Sequence, residues 1–389
     1  MKRRTVLAGA AFLPLSMALA GCGGLLNSAA PRIYLLDRSV PLRLVNAFER
    51  QQPSETEAVF ETGKTLLELF QRLRAWQSPT PAPSRWRPGG NRSANRPPAI
   101  LTTLGDYWLQ PAIQEGLIAP IDPQGLSAWD ALPALWQELS RRDRTGQPSR
   151  QDNIWGIPYR WGYLQIVYNR RYFERLGWQP QGWADLLRPE LQQHLALPDH
   201  PRIVLGLALK SLGASANEPA LESVAELPAR LTALQRQTRF YSSNHYVEPL
   251  VLEDIALAVG WSTDILPLLQ EYRQFAAVAP QEGTLLSADL WVQPALTKGQ
   301  PDASLLALSQ AWINYCLAEQ TALELTLYSL GSSPRFWGQG PQELPEALRD
   351  RPLLTLTPEL QQRSEFLAPL PDAAQDAYLQ LWQRMRSTV

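Results

Sequence analysis

Hydrophobic and polar positions along the chain switch between a strand-like and a helix-like period. Arg32-Ile33-Tyr34-Leu35-Leu36-Asp37 is a short apolar run of the kind that forms a buried strand. Ser39-Val40-Pro41 then predicts a helix through about Gln51, with Ser39 as its cap and Pro in the first turn. Glu57 to Thr62 predicts a second strand. Lys64 to Gln77 predicts an amphipathic helix with Leu66, Leu67, Leu69, Phe70 and Leu73 on its apolar side. A βαβα start predicts a mostly parallel sheet. A third strand is expected at Ala99 to Leu104, followed by helices at Asp106 to Glu115 and Trp129 to Leu139. Further on, strands are expected at Leu195 to Pro198, Thr238 to Ser243, Ile255 to Trp261, Phe275 to Pro280 and Leu285 to Val292. Helices are expected at Pro201 to Leu212 and Glu218 to Gln237, and the chain from Asp302 onward reads as mainly helical.

The middle of the chain carries its most apolar and aromatic run, Ile154 to Asn169. Its Gly and Pro residues divide it into two short strand-like pieces, of which Tyr163 to Tyr168 has the β-branched and aromatic make-up of a buried sheet. Periodicity leaves two readings open, a crossing point between two lobes or an ordinary pair of strands in one domain. Two stretches break the pattern. Ser78 to Pro98, rich in Pro, Gly, Asn and Arg, is expected to be a flexible surface insertion, and Arg141 to Arg150 a basic, mobile loop.

Length and composition narrow the classes. A chain of 389 residues exceeds what one hydrophobic core usually serves, so two lobes are expected. Apolar content of 45% with 19% charged residues is that of a globular chain, and a net charge of -1 argues against nucleic acid as the partner. The 14 Trp are either core filling or flat faces for a ligand. At the N-terminus, Lys2-Arg3-Arg4 and the apolar stretch Val6 to Ala20 form a targeting segment too short to span a membrane permanently. It ends on Leu19-Ala20-Gly21-Cys22, which resembles a bacterial lipobox, with Cys22 as the lipidated first residue of the mature protein. Export through the general secretory route or a twin-arginine exporter both fit. Cys316 is then the remaining thiol, so no intrachain disulfide is expected.

Several enzyme signatures are excluded. Gly63-Lys64-Thr65 imitates the tail of a phosphate loop, but Ala58 stands where the loop needs Gly. No nucleophile elbow or dinucleotide fingerprint occurs, and the three His (His194, His200 and His245) lack metal-site spacing, so no cofactor or metal is expected. What recurs is an acid just after a predicted strand, often beside an aromatic: Asp37, Asp106 with Tyr107 and Trp108, Asp199, Trp261 with Asp264, and Asp289 with Trp291. In α/β sheets the carboxyl ends of strands face the ligand crevice, and carboxylates with aromatic faces suit an organic cation. For any one of these acids, helix capping is an equally physical explanation.

The segments Gly156-Ile157-Pro158-Tyr159-Arg160-Trp161-Gly162 with Tyr168-Asn169, Gln114-Glu115-Gly116-Leu117-Ile118, Trp183-Ala184-Asp185-Leu186, Ala208 to Gly213 and Gly260-Trp261-Ser262-Thr263-Asp264 carry a resemblance. In order and spacing they resemble the periplasmic substrate-binding proteins of ABC transporters, specifically the spermidine/putrescine-binding branch. The resemblance runs from Tyr34 to about Pro334. It implies an α/β, two-lobed periplasmic-binding-protein fold of type II, each lobe a mostly parallel sheet flanked by helices, with a hinge between them. The divisions it implies are a signal peptide at 1–21, a tether at 22–31, a first lobe of 32–158 with about 262–300 (insertion 78–98), and a second lobe of 159–261 with about 301–389.

The resemblance also implies a monomer that performs no chemistry. It captures a small polar or cationic solute, a polyamine foremost, at the outer face of the cytoplasmic membrane and hands it to an ABC permease. Tyr107, Trp261 and Asp264 are the first candidates for ligand contact, followed by Asp37, Asp199, Ser243 and Asp289. Three departures bear on the substrate. Polyamine binders commonly show acids where this chain reads Asp199-His200-Pro201-Arg202-Ile203, and an aromatic where it reads Glu282-Gly283-Thr284-Leu285-Leu286-Ser287-Ala288-Asp289. An aromatic is also absent at Leu35-Leu36-Asp37. A different amine, another small metabolite, or a ligand-free assembly role on the same fold are the alternatives.

Overall fold

The computed structural model describes residues 30–52, 58–77, 99–295 and 302–387. The targeting segment, Cys22 and the insertion 78–98 lie outside the described residues. Among the described residues eleven strands are formed: β1 Arg32–Leu36, β2 Val59–Gly63, β3 Leu101–Gly105, β4 Ile118–Ala119, β5 Ile157–Asn169, β6 Leu195–Leu197, β7 Thr238–Tyr241, β8 Leu257–Trp261, β9 Phe275–Val278, β10 Leu285–Pro294 and β11 Glu365–Phe366. The order is β2-β1-β3-β10-β5-β8-β6-β7, with β4 and β11 on β10 and β9 on β5. β2, β1 and β3 are parallel, as are β8, β6 and β7, and these triplets are joined through β10 and β5, which run antiparallel to each other, with β10 antiparallel to β3 and β5 antiparallel to β8.

β5 organises the molecule. All 13 of its residues are buried, and it is one continuous strand where two pieces are expected from its Gly and Pro. Both residues have a place in the unbroken strand. Pro158 adjoins a register shift at Asp289/Leu290, a bulge that spares the missing N–H. Gly162 lies where a Cβ would come 2.9 Å from Ser262 Oγ and 3.0 Å from Thr263 Cγ2. Partners change along its length. Tyr163 pairs with Leu286 of β10, and the next residue, Leu164, pairs with Trp261 of β8.

Two hydrophobic cores divide at that step. The first takes Ile33 to Tyr163 together with Leu286–Val292 and Leu308–Leu325, and is dense in aromatic rings: Trp291 stacks on Tyr159 at 4.1 Å, and Trp312 meets Phe48 at 4.9 Å. The second takes Leu164 to Leu285 with Leu370–Met385. Trp136, Trp161, Trp183, Trp291 and Trp312 are fully buried, so core filling accounts for these five, including the Trp291 expected beside Asp289 in a crevice.

This packing differs from the divisions implied by resemblance. The helix Ala303–Leu317 belongs to the first core through Leu308, Trp312, Ile313 and Cys316, not to the second with the rest of 301–389. The helix Ser262–Glu271 and β9 pack with second-lobe strands, not the first lobe. The chain passes between cores at Tyr163/Leu164, at Leu285/Leu286 in the first step of β10, and last between Leu356 and Leu370.

Smaller differences have local causes. The first helix is Leu42–Glu49 with Pro41, not Ser39, at its N-cap and no side-chain cap, and the Ser39 hydroxyl accepts a hydrogen bond from Tyr159 Oη at 2.9 Å. Trp129–Leu132 is a turn, and the expected helix begins only at Ala134, after Pro133. The segment 218–237 is helical only over Leu221–Ser223, as a 3-10 turn, and Leu227–Gln237.

Candidate functional site

The carboxyl ends of β3 and β6, one from each lobe, open on a common cavity of about 470 Å³, in the range that small-molecule sites occupy. β3 ends at Gly105 and continues as the 3-10 turn Asp106–Trp108, and β6 leads through Asp199 to the helix Pro201–Lys210. The lobes meet across the cavity where Tyr107 and His200 stand edge to face at 5.3 Å. Tyr378, from the C-terminal helix Asp372–Ser387, closes one wall, and Leu367–Leu370 adds an apolar lip.

Asp106 forms part of the cavity wall and ties β3 to β10. Its Oδ1 accepts hydrogen bonds from the Ala288 N–H at 2.9 Å and the Ser287 hydroxyl at 3.0 Å. Burial pushes its carboxyl up to about 6 against the pull of these bonds and of Arg142, and the negative charge of Asp289 adds to the rise. Asp289 faces Arg160 across the β5–β10 pair, Nε to Oδ2 3.6 Å, with both side chains nearly inaccessible. Burial and the nearby Asp264 raise Asp289, while Arg160 opposes them. A Cβ at Gly331 would lie 2.2 Å from Arg160 Nε, so the guanidinium packs directly on that glycine backbone.

Asp264 lies in the first turn of the helix Ser262–Glu271, one turn beyond Trp261 at the end of β8. It retains solvent contact, yet surrounding protein raises its carboxyl, with Arg160 pulling the other way. Among the described residues it has no hydrogen bond or ion pair. Tyr246, buried and with its hydroxyl unpartnered, lies close enough to Asp264 for the carboxylate charge to push the phenol up beyond the rise that burial causes. Charges thus run from Asp264 through Arg160 and Asp289 to Asp106 and Arg142 at the cavity.

The sequence candidates therefore separate. Tyr107 lines the cavity, Asp264 and Asp289 belong to the linked charges that lead to it, and Trp261 ends β8 three residues before Asp264. Asp199 turns away to an exposed ion pair with Arg386 at 2.9 Å. Asp37 is exposed at the end of β1 with Arg38 as its nearest cation, and Ser243 is exposed in a turn organised by the neighbouring Ser242 hydroxyl. Residues not foreseen are Arg142, His200, Arg202 and Tyr378. Arg142 falls in the loop expected to be mobile, but it is buried and its Nε donates to the Leu139 carbonyl at 3.1 Å. The signal available for His200 was its departure, with that of Ile203, from the acids expected in this stretch; Arg202 carried no such signal. Among the described residues no group of His, Cys, Asp or Glu is arranged to hold a metal ion.

Comparison with known proteins agrees with this architecture. Residues 95–359 match the family model described as bacterial extracellular solute-binding protein. The spermidine/putrescine-binding periplasmic protein 1 of Haemophilus influenzae is 23% identical over 282 residues, which cover 72% of this chain and 73% of that protein. The spermidine/putrescine ABC transporter substrate-binding protein PotD of Streptococcus pneumoniae superposes with a TM-score of 0.73 at 20% identity, over 92% of this chain and 98% of that one. The TpPotD lipoprotein of Treponema pallidum superposes with a TM-score of 0.65 at 16% identity, over 92% and 99%. These structures share the two-lobed periplasmic-binding-protein fold. With a family match over more than half its length and that fold around an inter-lobe cavity, the chain belongs to the bacterial extracellular solute-binding proteins.

Proposed function

We propose that this protein captures a small solute bearing an ammonium group, the class that includes the polyamines its relatives are named for. The solute is taken into the inter-lobe cleft and delivered to an ABC permease, with no chemistry performed on it. One observation carries the amine reading: Asp264, in the first turn of the helix that follows Trp261, makes no ion pair among the described residues, whereas Asp289 is paired with Arg160 and Asp199 with Arg386. An ammonium group at Asp264 gains a charge-assisted hydrogen bond and a cation–π contact, the latter about 0.5 to 2 kcal/mol once desolvated. Closure of the lobes over the solute is stabilised by as much as the solute prefers the closed form. The hinge is the Tyr163/Leu164 step of β5, where one strand passes between the sheets. The lipobox ending at Cys22 supports a lipid anchor at the outer face of the cytoplasmic membrane, in keeping with the Treponema neighbour titled a lipoprotein.

The test is calorimetric titration with putrescine and spermidine. A solute that binds only the native state also raises the unfolding midpoint. Binding that is lost in Trp261→Ala and Asp264→Asn supports the reading, and polyamine binding that survives both substitutions overturns the site.

A further inference from the structure

The departure of this chain from an all-acidic cleft is concentrated in the cavity between β3 and β6. We propose that this cavity is an anion subsite, which takes a carboxylate or phosphate group of the solute whose ammonium end lies at Trp261 and Asp264. The solute class is thereby narrowed to amines that also carry an acid. The proposal rests on the amine reading above for the second end of the ligand, but the subsite stands on its own residues.

Arg142 comes from the first lobe and is 5% exposed, and its Nη1 is buried with no partner. Arg202 comes from the second lobe and is 8% exposed. Two of its nitrogens are held, Nη1 by the Ala368 carbonyl at 3.2 Å and Nη2 by Asn217 Oδ1 at 2.9 Å, while Nε has no partner. Its guanidinium lies over the Tyr378 ring at 4.9 Å, which fixes the group in place. His200 adds a buried, unpartnered Nδ1.

The ten-residue helix Pro201–Lys210 starts at this wall, and His200 at its N-cap gives no side-chain acceptor to the first-turn N–H groups. Both guanidiniums, the imidazole and the helix start line the same cavity. Two acids line it as well. Asp106 has its Oδ1 occupied by Ser287 and Ala288, and Asp372 is exposed at the start of the C-terminal helix. Two buried guanidiniums with open donors therefore face one carboxylate already committed to the sheet. A buried guanidinium with unpartnered donors is costly, and an incoming carboxylate or phosphate reduces that cost by taking them. An ammonium group in the same place meets repulsion from both lobes.

The experiment titrates the purified protein with putrescine, 4-aminobutanoate, butanedioate, 2-aminoethyl phosphate and inorganic phosphate, in wild type, Arg142→Gln, His200→Ala and Asp264→Asn. Circular dichroism checks each fold, so that His200→Ala carries the test if Arg142→Gln does not fold. The expected result is that an acid-bearing amine binds more tightly than putrescine and loses at least about tenfold in affinity in the Arg142 or His200 variant, with putrescine unchanged or improved. Comparison of 4-aminobutanoate with 2-aminoethyl phosphate assigns the acid as carboxylate or phosphate. If putrescine binds and no acid binds or competes at millimolar concentration, the anion subsite is overturned and the amine reading stands. If the acids bind but Asp264→Asn changes no affinity, the subsite stands and the amine reading falls. Acid binding that neither the Arg142 nor the His200 variant weakens also overturns the subsite.

Discussion

Replacing Asp106 by Asn probes the wall shared by the sheet and the cavity. Folding carries this carboxyl from 3.8 to about 6, chiefly through burial. A group whose folded value lies above its unfolded value holds its proton more tightly in the native state, so its contribution is present in acid and is lost as pH rises between the two values. At about 1.4 kcal/mol per pH unit the loss amounts to about 3 kcal/mol. Asn has no titration to lose and keeps a side-chain oxygen for Ala288 and Ser287, forgoing about 1 kcal/mol of charge assistance. The neighbouring Asp289, which raises Asp106, is relieved in the same direction. Urea unfolding from about pH 4 to pH 7 should therefore show the Asp106→Asn protein gaining about 2 kcal/mol relative to wild type across that interval. Parallel stability curves for the two proteins would refute the account, because burial would then not be setting the ionisation of Asp106.

Other substitutions separate buried charge from exposed charge and from backbone strain. Arg160→Met leaves Asp289 buried without its counter-ion and is expected to cost about 3 kcal/mol near neutral pH; much of that should return in the Arg160→Met, Asp289→Leu double variant, read by urea midpoints. Gly283→Ala should lower the midpoint by at least about 2 kcal/mol, because Gly283 has φ +88° and its Cβ would fall 2.1 Å from the Arg363 carbonyl oxygen. Asp199→Ala removes only an exposed pair with Arg386 and should cost under about 1 kcal/mol, with solute affinity unchanged in calorimetry.

The strands β1, β2 and β3 and the buried run of β8 are set by local pattern, and they stand within a few residues of where the sequence puts them. The place of Trp261 and Asp264 at the end of β8 was also legible, since it is set by local pattern. Asp199 and Asp289 were legible as acids but not in their state: their cations, Arg386 and Arg160, are distant in sequence and meet them only in the folded chain. The unity of β5 was hidden for a related reason. Pro158 and Gly162 are breakers by local chemistry, and only the bulge opposite one and the helix start against the other make them compatible with an unbroken strand. Arg142 was misread because a polar, Pro-containing loop carries no local sign that one of its guanidiniums is drawn into the interior.

Because β5 belongs to both cores, neither can be completed early in synthesis. The first needs β10 and the helix ending at Leu317, the second the helix that begins at Asp372, so each waits for chain made long after its opening strands. Contacts of such sequence separation are slow to form and leave apolar strand edges uncovered meanwhile. Neither core can therefore close before nearly the whole chain is made, an order that favours a chain still unfolded when it leaves the ribosome.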